Sequence, residues 1–385
     1  MDLKLPVHPN IYSNLFPEFG KPKVIGYIGL ENLKFARCVR DKKVKFDLNH
    51  KIDQVKRKPP DLDVKLTELL RFLLENETRL QFMGADTLEA AKFHCYRGLL
   101  TCVACTPYER LDPWKIVVVL HKGCIYLCAR DSEEKKKHKL NMTEDEKKCC
   151  SWGFKFEQYM LSDHPNLEPN INQPVDETTE FSLVFTTHLN KHVLVYGAEM
   201  DGIKCDESPV LPPPSPKASP DKIVEYLSTK EFVELKTNRH IESNRQETNF
   251  RRFKTKKWWC QSFLVGISTI ICGNRDEFGT VEELKVYNVK DLPKLSKNYW
   301  NPNVCFNFLD SFLNFVKKCL RSEIKRHHGE KAVTNLTKLP LMALQLEWNP
   351  GSPVRVSGNY SHEDDQILPD WFVNVYGKNS LEFSE

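Results

Sequence analysis

No stretch of this sequence is apolar for long enough to cross a bilayer. The longest runs, Trp114–Leu120 and Phe263–Gly273, fall far short of the roughly 20 residues a spanning helix needs. Charge of one sign is also lacking. Lys and Arg number 56 against 52 Asp and Glu, so the net charge is only +4 and no global basic field dictates a nucleic-acid partner; any such binding must come from local patches. The opening Met-Asp-Leu-Lys-Leu-Pro lacks the apolar core of a signal peptide. The 13 cysteines, an odd number, therefore read as reduced thiols in a nuclear or cytoplasmic protein rather than as a disulfide framework. On that reading the glycosylation sequons at Asn141, Asn335 and Asn359 have no use. Internal repeats and an obvious domain break are absent too.

What is present suits a sizeable core: 385 residues, 40% hydrophobic and 11% aromatic. Residues 1–22 hold four prolines and read as irregular; 23–375 read as one α/β domain with mixed sheets, and 376–385 as a tail. Leu66, Leu69, Leu70, Leu73 and Leu74 recur at helical spacing and predict a helix over 62–76. A second helix is predicted over 86–105, with Thr87 as N-cap. Further helices are expected over 152–161, 249–266 and 301–327. Hairpins are expected at 114–120/123–129, 181–187/192–201, 267–275/280–289 and 341–348/353–358, and a strand at 23–29. The charge run 131–148 reads as a solvated loop or helix, and 205–222 as a proline-rich disordered loop. Cys102/Cys105 and Cys124/Cys128 superficially suggest a zinc ribbon, but neither pair turns around Gly or a polar residue, so buried free cysteine is preferred.

Two strand ends stand out. One runs His192-Val-Leu-Val-Tyr-Gly-Ala-Glu199-Met-Asp201 and the other Glu231-Phe-Val-Glu234-Leu-Lys236. Side chains alternate across a strand, so Glu199 should face the same way as Asp201, and Glu234 the same way as Lys236. Three carboxylates and a lysine meeting on one sheet face would need a cation, because ionised carboxylates are costly to bury unpaired. A hard ion such as Mg²⁺ takes oxygen ligands and shares them with substrate phosphate. Glu-x-Lys also occurs at Glu133/Lys135, Glu146/Lys148, Glu283/Lys285 and Glu323/Lys325, where a solvated pair is the plain reading. Glu199 and Glu234 differ in following apolar runs. Arg251, Arg252, Lys254, Lys256 and Lys257 beside Trp258 and Trp259 offer either a basic face for a single strand with stacking bases or a solvated helix face held by core tryptophans.

Several segments together resemble the ordered motifs of the DXO (Dom3Z) decapping exoribonuclease family. They are Tyr96-Arg97-Gly98 with Thr106-Pro-Tyr108-Glu, Trp152-Gly-Phe-Lys-Phe-Glu157, Glu199-Met-Asp201, Val233-Glu234-Leu-Lys236, Trp258-Trp-Cys-Gln261, Trp300-Asn-Pro and Glu347-Trp-Asn-Pro-Gly. The likeness covers roughly 20–375. It implies a two-sheet core related to the PD-(D/E)xK nucleases, with Mg²⁺ or Mn²⁺, two ions being expected. It implies hydrolysis at RNA 5′ ends (unmethylated caps, NAD caps, triphosphates) followed by 5′→3′ degradation. By the same resemblance Glu157, Glu199, Asp201 and Glu234 are metal ligands together with the Leu235 carbonyl. Lys236 and Gln261 position phosphate and water, and Tyr96, Arg97, Gly98 and Ser182 contact substrate. Lys34 stands where the pattern has a substrate-binding arginine, Val64 where it has a glutamate, and Ala198 where Gly is usual.

The competing expectations are a catalytically silent RNA-end binder or partner of a 5′→3′ exonuclease, and a DNA nuclease with the same chemistry. Intact acidic motifs favour the RNA enzyme, expected as a monomer with no membrane contact.

Overall fold

The computed structural model describes residues 3–39, 41–80, 84–205, 210–357 and 360–376. Two mixed sheets organise it. The larger has nine strands in the spatial order Lys4–Leu5, Val354–Val356, Met342–Trp348, Trp114–His121, Cys124–Arg130, Phe93–Tyr96, His192–Glu199, Ser182–Leu189 and Lys23–Ile28. The smaller has seven: Lys43–Asp47, Thr280–Asn288, Thr269–Arg275, Phe232–Arg239, Gly202–Lys204, Phe35–Ala36 and Leu161–Ser162. All four hairpins of the sequence reading are present.

The predicted helix over 86–105 is corrected. Phe93–Tyr96 is a strand lying parallel to both Cys124–Arg130 and His192–Glu199, and only Arg97–Cys105 is helical. A short apolar run buried on both faces fits a central parallel strand, and periodicity alone does not separate it from a buried helix. Thr87 caps nothing, because no helix follows it. The helix expected from Leu62 begins at Thr67: Lys65 has a φ of 43°, in the left-handed region, and Leu62 and Val64 are exposed.

Two other helices begin earlier than expected. Glu144–Met160 starts inside the charge run, where Thr143 and Glu146 form a reciprocal capping box contributing about 1 kcal/mol. The tryptophan-bearing helix starts at Asn244 behind a second box, Ser243/Gln246. It passes through a π-helical turn, Phe250–Lys254, and continues as Thr255–Phe263. Within the span read as a loop, Pro220–Ser228 is a helix opened by its proline, and 206–209 fall outside the described residues. The expected tail likewise lies outside them from 377 onward.

Three cores result. The long helix Pro302–His328, the Arg97 helix and Trp258 and Trp259 cover one face of the larger sheet. The Thr67–Glu75 helix and Phe372 cover its other face. Trp152 and Phe156 of the Glu144–Met160 helix lie on the smaller sheet, in one core with Val233, Leu235 and Ile271. Each fully buried Phe or Leu in these layers contributes roughly 1.5–3 kcal/mol. Cys105 ends the Arg97 helix, while Cys124 and Cys128 lie on a strand and fill the second core.

Candidate active site

The chain leaves the larger sheet at Glu199 and enters the smaller one at Gly202. The strand expected over 192–201 therefore stops two residues early, and Glu199 and Asp201 straddle the junction. Ser182 lies directly opposite Glu199 in the register and opposite Ile28 on its other side. Gly202 pairs with Val233, which carries Asp201 alongside the Glu234-Leu-Lys236 segment. The Leu235 N–H donates to Asp201 Oδ2 at 2.5 Å, while the Leu235 side chain enters the core.

Glu234 is buried. Lys236 Nζ donates to its Oε1, and Arg97 Nη1 lies 3.3 Å from its Oε2. Arg97 reaches this point as the first residue of its helix, 137 positions away in the chain. Glu157 completes the group from the helix lying on the smaller sheet. That helix comes close because Gly273 beneath it has no side chain; a Cβ there would stand 2.6 Å from Phe156 Cε2.

Mutual repulsion marks the convergence. Burial first, then Asp201 and Glu199, hold the Glu157 carboxyl well above the usual carboxylate range. Burial and then Glu234 push Asp201 up to about 7, against the pull of Lys236 and the Leu235 N–H. Burial would raise Glu234 as well, but Lys236 and Arg97 outweigh it and hold Glu234 low. Burial opposes the charge on Lys236, yet Glu234 and Asp201 hold its pKa above normal.

Glu157, Asp201 and Glu234 thus share two cationic side chains, with Glu199 exposed at the rim, so the group as a whole is negative when all four carboxylates are ionised. That surplus, on oxygen donors alone, fits a hard divalent cation. Among the described residues no three acidic, His or Cys side chains close into a metal cage as they stand. Glu234 is turned to Lys236 and Arg97, and Asp201 to the Leu235 N–H.

Other expected site residues are placed differently. The Tyr96 hydroxyl accepts the Leu69 N–H at 3.2 Å, and its ring lies against Gly197, where a Cβ would be 2.9 Å from Tyr96 Cε1. Burial raises that phenol to about 12. Tyr96 is thus a wedge between sheet and helix, whereas its neighbour Arg97 enters the acidic group. Gly98 has open space where a Cβ would be. Lys34 gives its carbonyl to the Ile203 N–H at 2.9 Å and its ammonium to Asp163. Gln261 is half-buried on the Thr255–Phe263 helix and has no side-chain hydrogen bond among the described residues. Trp258 and Trp259 are core residues. The Arg97–Glu234 pair was not legible beforehand, since no local spacing announces it. The buried Glu234 between apolar Val233 and Leu235 was the one available hint that a cation must meet it.

A strand carrying Glu-x-Lys in a mixed sheet, met by further carboxylates from a helix and a neighbouring strand, is the architecture of a PD-(D/E)XK nuclease. The chain belongs to the RAI1-like PD-(D/E)XK nuclease family, whose model matches residues 27–373. It is 31% identical to the Decapping and exoribonuclease protein Rai1 of Drosophila melanogaster, over 95% of this chain and 94% of that protein. It is 29% identical to the Decapping and exoribonuclease protein of Bos taurus, over 96% and 89%. Among solved structures, Candida albicans Rai1 in complex with pU5-Mn²⁺ shares the fold at a TM-score of 0.74 and 19% identity, covering 97% of this chain and 99% of that one. Scheffersomyces stipitis Rai1 in complex with (3′-NADP)⁺ and calcium ion does so at 0.71 and 21%, covering 93% and 95%.

Proposed function

We propose that this protein is a divalent-metal-dependent hydrolase of RNA 5′ ends that removes incomplete or non-canonical caps, NAD caps among them, and degrades the RNA 5′→3′. The observation that carries the reading is the convergence of Glu157, Glu199, Asp201 and Glu234 around Lys236. The names of the similar proteins, decapping and exoribonuclease, support the same reaction class. The NADP and Mn²⁺ complexes of the related fold support the cap type and the ion.

Glu157, Glu199, Asp201 and Glu234, with the Leu235 carbonyl, would hold two Mg²⁺ or Mn²⁺ ions. When bound, such ions neutralise phosphate charge and make water acidic enough to act as a nucleophile near neutral pH. Lys236 places a fixed positive charge where the pentavalent phosphorus gathers negative charge. Arg97 anchors Glu234 and stands ready to meet a substrate phosphate when that carboxylate turns to a metal. Ser182, beside Glu199, and Gln261 would orient substrate and water; Gly98 leaves room for the strand. Lys34, just before the Phe35–Ala36 strand of the smaller sheet, and the backbone around Tyr96 complete the substrate contacts. The protein acts in the nucleus or cytoplasm, and as a monomer.

The test is incubation of the full chain with NAD-capped, GpppN-capped, m⁷G-capped, triphosphate and monophosphate RNA, with Mg²⁺ or Mn²⁺. Glu199→Ala/Asp201→Ala should lose at least about a hundredfold in rate on every cleaved end. Equal activity of that variant would eliminate the centre. Inactivity of the unaltered protein on all five ends would favour a silent RNA-end binder.

A further inference from the structure

At the opposite end of the Arg97 helix the chain builds a cavity of about 440 Å³, lined by Pro107, Tyr108, Arg110, Arg252, Tyr299 and His8 among others. It lies roughly 15 Å along that helix from the acidic group, given nine residues at 1.5 Å each and the turn that follows. Its charge is inverted: among the described residues no acidic side chain lines it.

Among the described residues the two guanidinium groups have no ion pair. Among the basic residues of the tryptophan helix, Arg251 is tied to Glu247, Lys254 to Asn238, and Lys257 to Glu109 and Asp112. Arg252 has no acid or amide partner among the described residues and leans on the Phe253 ring. The Arg110 side chain has no ion pair among them either.

Two further observations point to a ligand. Lys256 is wholly buried and has no salt bridge among the described residues, the Glu109 carboxylate acting on it only from further off; it donates to the Cys105 carbonyl at 3.4 Å, and its ammonium sits 5.6 Å from the centre of the Tyr108 ring that walls the cavity. An unpaired buried ammonium is costly, and an anion on the far side of the wall would offset that cost. Arg252 also belongs to the π-helical turn Phe250–Lys254, a rare form of helix that recurs at functional sites. The aromatic walls are fixed in place: the Tyr108 hydroxyl accepts the Asn301 N–H at 3.0 Å, and the Tyr299 hydroxyl meets Thr248 Oγ1 at 3.5 Å.

Paired guanidiniums beside held aromatic rings suit a phosphate with a base stacked next to it. We propose that this cavity is a second nucleoside-phosphate site, which grips the RNA strand beyond the catalytic centre and so keeps the enzyme on its substrate between cleavages. The role on the strand rests on the function proposed above; the nucleoside-phosphate chemistry does not.

The experiment is binding by the full chain in chelator, where nothing is cleaved. Fluorescent oligouridylates, a dinucleotide and one of about twelve nucleotides, are titrated alongside free AMP. The longer strand should bind more tightly than the dinucleotide. Arg110→Ala/Arg252→Ala should weaken AMP and lose that gain, roughly tenfold, so that the longer strand binds no more tightly than the dinucleotide. Arg110→Lys/Arg252→Lys should recover part of it, and an unchanged melting temperature shows that both variants fold. If the substitution weakens AMP but leaves the length gain untouched, the site takes free nucleotide and only its role on the strand falls. If neither AMP nor the longer strand is affected, the proposal is overturned. A protein inactive on every 5′ end that still shows the arginine-dependent gain would sink the nuclease reading and leave this site standing.

Discussion

The two ends of the Arg97–Cys105 helix solve opposite electrostatic problems. At its start, four carboxylates are crowded together and the chain supplies Arg97 and Lys236 against them. Beyond its end, Arg110, Arg252 and the buried Lys256 gather around a cavity that no acid lines among the described residues. Both groups flank one helix yet carry surpluses of opposite sign. A surplus at a buried or half-buried site is a standing demand for a counter-ion, so one end suits a metal and the other a phosphate.

The comparison breaks most visibly at Arg97. Arg97→Ala leaves buried Glu234 with Lys236 alone and should cost about 3–5 kcal/mol in chelator, read from the urea midpoint. Adding Glu234→Gln should recover much of that, because the uncompensated charge goes with it. A loss within the noise for Arg97→Ala would mean the pair carries no weight.

A buried group outside both ends sharpens the contrast. His94 is fully buried, stacked on Tyr126 with ring centres 5.0 Å apart, and burial followed by the Lys92 charge pushes its pKa down to about 3. Its unfolded value is higher, so the unfolded chain takes up the proton first as pH falls. Stability is therefore full above about pH 6.5 and declines below it by up to about 1.4 kcal/mol per pH unit, towards the folded value. His94→Phe should flatten the urea-midpoint slope near pH 5, and an unchanged slope would show that His94 titrates normally.

Two glycines test the acidic end from the packing side. Gly273→Ala drives a methyl into Phe156, next to Glu157, and should cost about 1–3 kcal/mol while weakening activation by Mn²⁺. Gly98→Ala meets nothing and should change stability by no more than about 0.5 kcal/mol. An activity loss in that folded variant would locate the substrate backbone against Gly98, whereas full activity would remove Gly98 from the contacts.

Much of this was legible in local pattern. Alternation predicted the four hairpins, and apolar runs ending in Glu199-Met-Asp201 and Glu234-Leu-Lys236 singled out the carboxylates from the commoner surface doublets. Legibility failed where a segment's state depends on its neighbours. Phe93–Tyr96 became a strand because a parallel slot was open between two other strands. Tyr96 turned to the Leu69 N–H and not to the acids, because consecutive residues at a strand-to-helix corner face different layers.

The sequence by itself determined which side chains are available: acids after apolar runs, a lysine two places beyond Glu234, and a basic stretch beside two tryptophans. Only the tertiary structure decided which of them meet. Arg97 and Glu234 come together across 137 residues, and among the described residues Arg252 has no ion pair while Arg251 and Lys257 are tied to acids. The physical reason is that charge pairing acts over a few ångströms of space, whereas sequence patterns record only distance along the chain.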